Sequence, residues 1–262
     1  MGCPDWPKCF DQWVPPTHVS QLPADYQVRY ADRGYDVMEF NPVKTWTEYL
    51  NRLTGSVIGL SVLIMAGTAI YARKELSPRV VWASVGVVAL IGFQGWLGAT
   101  VVASVLKPWV ITTHMAVAIL IIMILNAIMA AVSSPRTQLA LGPTYWIAAF
   151  VLIIQFVLGS QVRQAVDHGI AINGLSQIGA IYWVHRSFSW VVVLFLILLA
   201  GKLYRSGSRG LGLLILIPLA IQMSSGIIFA KMGLVGVLQP LHLTAAAISI
   251  GTLSYIAASS KT

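Results

Sequence analysis

A histidine and an arginine stand side by side in Tyr182-Trp183-Val184-His185-Arg186-Ser187, where a long apolar stretch begins. Upstream, Glu48-Tyr49-Leu50-Asn51-Arg52 repeats the pattern, with Asn51 in the place of His185 and Arg52 in the place of Arg186. Each copy is followed by Gln-x-x-x-Gly and then by a lone histidine: Gln94, Gly98 and His114 in the first, Gln222, Gly226 and His242 in the second. One offset of 128 residues relates Gln94 to Gln222 and His114 to His242. A third such element, Gln155-x-x-x-Gly159, opens the second half. Imidazoles facing each other across packed helices are a common way to hold heme iron. His185 and His242 are read as such a pair. The competing reading, hydrogen bonding between helices, is weakened by the repetition of histidines at matching depth. Arg52 and Arg186 suit heme carboxylates, which guanidinium binds bidentately, or else snorkel to lipid headgroups.

The elements that must position these residues lie in a membrane. The 262 residues are 57% hydrophobic and 10% charged, with a mean hydropathy of +0.76. Soluble domains hold about 25% charged residues, so the chain is read as a polytopic membrane protein. Seven apolar spans are predicted near 46–71, 80–106, 109–132, 139–162, 181–201, 210–230 and 234–258. Each is long enough to cross a hydrocarbon core of roughly 30 Å. Their continuous apolar character argues against a β-barrel. The net charge of +8 is not a nucleic-acid signal, because the basic residues sit in short loops. Arg73, Lys74, Arg79, Arg136, Lys202, Arg205, Arg209 and Lys261 mark one side; Asp5, Asp11, Asp25, Asp32, Asp36, Glu39 and Asp167 mark the other. By the positive-inside rule, residues 1–45 are extracytoplasmic and the C-terminus is cytoplasmic. Three regions follow: residues 1–45 with a cysteine pair, a first half-bundle over 46–134, and a second over 135–262. The first has three helices to the second's four, so a helix is expected before Met1.

Other residues admit two readings each. Glu48 and Asn51 share a helix face at i, i+3. Asn51 is a poor iron ligand, so His114 alone would hold iron in the first half. An open coordination position would then face Glu48, a carboxylate suited to proton transfer or water positioning. Thr45-x-x-Glu48 is equally a capping-box pattern. Gln94, Gln155 and Gln222 either line cofactor pockets or bond between closely packed helices. Cys3 and Cys9 form a disulfide loop, a metal site or a reactive thiol pair. His18 and His168 read as loop residues.

Taken together, Gly2-Cys3-Pro4-Asp5-Trp6-Pro7-Lys8-Cys9, Glu48-x-x-Asn51-Arg52, Phe93-Gln94-Gly95-Trp96-Leu97-Gly98, His114, Val184-His185-Arg186 and Leu241-His242-Leu243 resemble the heme A synthase family of cytochrome oxidase assembly proteins. The resemblance runs over nearly the whole chain. It implies an all-α membrane fold of two pseudo-symmetric four-helix bundles, the first with only three helices in this chain. It implies oxidation of a methyl group of heme O to the formyl group of heme A, with water as oxygen source. Two successive oxidations would give a geminal diol that loses water. On this resemblance heme b is the cofactor, held by His185 and His242 with Arg186 at its carboxylates. The substrate heme is met by His114, Asn51 and Arg52, Glu48 is catalytic, and Cys3 pairs with Cys9. The implied setting is the inner (plasma) membrane, with an unnamed electron acceptor and with heme O synthase or oxidase assembly factors as candidate partners. Many family members carry histidine where this chain has Asn51, and some carry a second cysteine pair that the loop from Gln164 to Ile181 lacks. A rival reading is a di-heme b-type electron carrier without substrate chemistry; a transporter ranks last, with Pro218 the one clear mid-span proline.

Overall fold

The computed structural model describes residues 2–133, 141–167, 175–233 and 236–260. Arg136, His168 and Lys261, cited above, lie outside them. The regular structure of the described residues is helical: a short α1 (Tyr26–Arg29), then α2 (Pro42–Tyr71), α3 (Pro78–Ala103), α4 (Pro108–Val132), α5 (Pro143–Asp167), α6 (Ala180–Arg205), α7 (Arg209–Met232) and α8 (Leu238–Ser259). The last seven are long and apolar enough to cross a membrane. The protein is an all-α, multi-pass membrane protein.

Proline sets where four of these helices start. Pro42, Pro78, Pro108 and Pro143 each stand first, where a missing N–H goes unused. Asn41 caps α2 by accepting from Lys44 N at 3.0 Å, and Ser77 caps α3 by accepting from Val80 N. The predicted first span therefore begins four residues late. The capping-box reading of Thr45 and Glu48 is overturned for the same reason, since both already lie inside α2.

Two compact units divide at Ala118/Ile119, within α4. The second half of α4 belongs with α8: Asn126 Nδ2 donates to Gly251 O and to Ser254 Oγ, both at 3.1 Å. Asn126 and Ser254 are themselves 128 residues apart, the offset of the sequence repeat.

In the second unit α5 packs on α6, α6 on α7, α7 on α8, and α8 returns to α5. Ala148, Leu196, Leu199, Leu203, Ile215 and Ile256 fill its centre and are fully buried. Large apolar side chains such as Trp190, Leu194, Ile197, Leu213 and Ile217 point outward. An exterior of this kind suits lipid, because helices apolar all round belong in a core or a membrane.

In the first unit α2 packs on α3, and the N-terminal segment folds over the start of α2. Cys3 and Cys9 are joined by a disulfide. Phe10 is fully buried and packs edge-on against Tyr26, Tyr30, Tyr35 and Phe40, with ring centroids 5.2 to 6.2 Å away. Phe10 and Asp11 have φ of 53° and 60°, in the left-handed region that non-glycine residues rarely enter. Asp5 holds them there: its carboxylate accepts from Phe10 N at 2.8 Å and from Asp11 N at 2.7 Å. Arg33 Nη1 donates to Val102 O at 2.6 Å and so caps α3, a cation at a helix C-terminus.

The disulfide closes a short loop, so its removal should cost about 2 kcal/mol of local stability. Cleavage within residues 2–40 by a soluble protease, followed by mass analysis, is expected to quicken several-fold after reduction. Unchanged cleavage would show that the aromatic cluster alone holds the segment.

Candidate functional site

Glu48 and Arg52 are one turn apart on α2 and face the cysteine loop. Arg52 Nη2 pairs with Glu48 Oε1 at 2.6 Å, with the side chains 15% and 26% exposed. Arg52 Nη1 donates to Asp5 O at 2.8 Å and Lys8 O at 3.0 Å. Glu48 Oε2 accepts from Gly2 N at 2.8 Å and Cys3 N at 3.2 Å. Thr45 Oγ1 donates to Gly2 O at 2.8 Å. A Cβ on Gly2 would meet Lys44 O at 2.3 Å, so only glycine allows this approach. The Tyr35 phenol is pushed well above its usual range, by burial first and then by the Glu48 and Asp5 charges. Tyr30 is pushed up to about 12, by burial first and then by Asp5. Asn51 is exposed. Among the described residues no hydrogen bond joins Glu48 to His114.

His114 sits in a cradle made by α3. Gln94 Nε2 donates to His114 O at 3.0 Å and lies 3.3 Å from its Nε2. One turn on, a Cβ at Gly98 would lie 3.5 Å from His114 Cε1. The same cradle recurs between α5 and α6. Gln155 Nε2 donates to His185 O at 3.2 Å, and a Cβ at Gly159 would lie only 3.2 Å from His185 Cε1. The Gln-x-x-x-Gly spacing thus has one physical meaning in both places: an amide grips the histidine's carbonyl, and the glycine leaves room for the ring. Sequence alignment pairs Gln94 with Gln222, but Gln222 bonds Pro218 O and Ser249 Oγ instead. Gln155 makes the equivalent contact.

His242 is held by α7 in a different way. Ser225 Oγ lies 2.8 Å from His242 Nδ1, and Phe229, one turn on, packs its ring 5.8 Å away. The serine hydroxyl has one proton, and Ile221 O takes it at 2.6 Å. The hydroxyl thus ties the imidazole to the backbone of α7. Fixing one ring nitrogen is how proteins aim the other at a metal. A Ser-x-x-x-Phe pair opposite a histidine was visible in the sequence, but serine alone is too common in membrane helices to mark a site.

His185 on α6 and His242 on α8 are both half-buried within the second unit. Arg186 is exposed, its guanidinium 5.6 Å from the Trp183 ring and 3.4 Å from the Tyr182 hydroxyl. Among the described residues, the Nδ1 atoms of His114 and His185 are buried without a hydrogen-bond partner, as are Oε1 of Gln94 and of Gln155 and Nε1 of Trp46. Buried polar atoms are nearly always satisfied, so the two imidazole nitrogens have capacity for a further partner. Among the described residues no three His, Cys, Asp or Glu side chains group around a bare ion. Iron at these imidazoles would need its remaining ligands from a macrocycle, and the donor set fits heme.

Residues 1–254 match the family described as cytochrome oxidase assembly protein. The chain belongs to that family. Within it, a curated heme A synthase of Shewanella oneidensis is 27% identical over 165 residues, 61% of this chain and 47% of that protein. A curated heme A synthase of Sphingopyxis alaskensis is 25% identical over 258 residues, 85% of this chain and 69% of that protein. The match thus spans about half the length of the first relative. No solved structure matches the chain.

Proposed function

We propose that this family member is a heme A synthase, an oxidoreductase that converts the methyl group of heme O to the formyl group of heme A. The observation that carries the reading is the repeated imidazole cradle with its orphaned ring nitrogens. The two relatives named as heme A synthases support the substrate assignment. In this reading residues 46–134 form the substrate half and residues 135–262 the heme b half. Residues 1–45 are extracytoplasmic, and the protein sits in the inner membrane with its C-terminus in the cytoplasm. Water supplies the oxygen: methyl plus water gives formyl, four protons and four electrons. An electron acceptor must take those electrons; heme O synthase and oxidase assembly factors are its candidate neighbours.

His185 and His242 hold heme b, which when bound supplies one-electron redox capacity. Ser225 meets His242 at Nδ1, which leaves Nε2 for iron. Arg186 stands at the rim for a heme carboxylate. His114 orients the substrate iron, with Asn51 leaving the opposite side open. Glu48 handles a proton or positions water at the methyl, and Arg52 holds its carboxylate in place.

Extraction of the pigments from purified protein, with mass analysis, tests the reading. Heme b together with heme A or a hydroxylated heme O is expected. Heme b alone, after expression with heme O supplied, would instead make the protein an electron carrier. Ser225→Ala removes the hydroxyl that meets His242 Nδ1, and heme b affinity should fall about 10- to 100-fold. Heme titration followed at the Soret band measures this.

A further inference from the structure

The turn between α6 and α7 gathers cations that the second unit cannot neutralise. Lys202 and Arg205 lie in the last turn of α6, and Arg209 begins α7. All of them are exposed, and among the described residues none has an ion-pair partner. Residues 119–262 contain one acidic residue, Asp167, which ends α5. The cations stand at the other end of that helix, where Lys202 Nζ donates to Thr144 Oγ1 at 2.5 Å. From Thr144 to Asp167 α5 runs about 35 Å at 1.5 Å per residue. Salt screens exposed charges beyond about 8 Å, so an acid at that distance offers no compensation. The turn after α2 differs, since Glu75 accompanies its Arg73, Lys74 and Arg79.

Basic residues in such turns orient a chain in the bilayer, but orientation requires no ordered arrangement of them. Here the arrangement is ordered. Lys202 is tied to α5 through Thr144, and the Arg209 guanidinium lies 5.1 Å from the centre of the Tyr204 ring. Ser208 precedes α7 without a side-chain cap bond, which leaves first-turn N–H groups to an outside acceptor. Toward the middle of the bundle the exposed side chains become apolar: Leu198 on α6, and Leu213, Leu214 and Ile217 on α7. A ligand here meets positive charge at one end and an apolar wall beyond it.

We propose that this turn is a binding site for an anionic phospholipid. Lys202, Arg205 and Arg209 hold the headgroup phosphate, and the acyl chains lie against the apolar exteriors of α6 and α7. Guanidinium matches phosphate bidentately. A zwitterionic lipid brings its own ammonium and gains less from the cluster. A free phosphate ester would meet the cations and leave the apolar wall unused.

The test uses the full chain, delipidated in detergent, and native mass spectrometry. The probes are dioleoyl phosphatidylglycerol, dioleoyl phosphatidylcholine and soluble glycerol 3-phosphate. Each cation near an anionic headgroup changes affinity about 5-fold. Wild-type protein should therefore bind phosphatidylglycerol at least about 10-fold more tightly than phosphatidylcholine. Combining Lys202→Gln, Arg205→Gln and Arg209→Gln should abolish that preference. Combining Arg73→Gln, Lys74→Gln and Arg79→Gln should retain it, although the net charge falls equally. Arg205→Gln alone leaves the Thr144 tie and the Tyr204 contact in place, so it keeps the fold. It should weaken phosphatidylglycerol binding about 5-fold. Equal loss in both triple variants would mean diffuse surface charge and overturn the site. An unchanged preference in the first triple variant and in Arg205→Gln would overturn it too. Displacement of phosphatidylglycerol by millimolar glycerol 3-phosphate would assign the cations to a soluble phosphate ester and overturn the lipid as occupant.

Discussion

Protein carrying His185→Ala or His242→Ala is expected to purify without heme b, with affinity lowered by more than about 100-fold. That exceeds the upper end of what losing a supporting contact produces. The two substitutions should be equally severe, for different reasons. His185 brings a buried Nδ1 without a hydrogen-bond partner among the described residues, and alanine removes it. His242 brings an imidazole that Ser225 Oγ meets at Nδ1. Alanine there removes the ring that Ser225 contacts. Gly159→Ala should fall between wild type and these, since its Cβ would press on His185 Cε1 from 3.2 Å. The reduced-minus-oxidised absorption spectrum measures all three. Full heme b content in either histidine variant would remove that residue from the ligand set.

Glu48→Ala is expected to let heme O bind and to leave it unconverted, with heme A formation lowered about 10²- to 10⁴-fold. The structure adds a difficulty that this variant alone does not resolve. Glu48 also anchors the cysteine loop through Gly2 N, Cys3 N and Arg52. Hydrogen bonds to a charged group contribute about 1.5–3 kcal/mol each, so alanine loosens the loop as well as removing an acid. Glu48→Gln separates the two roles. Its amide oxygen still accepts from the loop amides, while it can neither carry a proton nor pair ionically with Arg52. Slow proteolysis of residues 2–40 with conversion still absent is the result expected for a proton-handling group. Recovery of heme A formation in the glutamine variant would make Glu48 an anchor only.

The histidines, the arginine echo and the Gln-x-x-x-Gly elements were legible because each needs a rare residue at a fixed helical spacing. What they do was legible only in part. Gln222 looked like the partner of Gln94 by offset, yet Gln155 makes the matching contact, because the amide follows whichever helix faces the histidine's carbonyl. Arg52 carries the same letter as Arg186 but turns to Glu48 and the loop carbonyls, whereas Arg186 lies over Trp183. Ser225 was invisible as a site residue, since its role depends on where one hydroxyl proton points. The start of α2 was missed because Pro42 in a proline-rich segment reads as loop until Asn41 is seen to cap it.

That early start has a consequence for where the chemistry happens. With 30 residues α2 is about 45 Å long, some 15 Å more than a typical hydrocarbon slab. Its polar residues Thr45, Thr47, Glu48, Asn51 and Arg52 gather at the first turns, so the surplus stands proud there, at headgroup level. On the proposed role of Glu48, hydrophobic mismatch becomes a variable of the reaction: acyl chain length sets how far the Glu48–Arg52 pair is lifted clear of oil, and thicker bilayers draw it in.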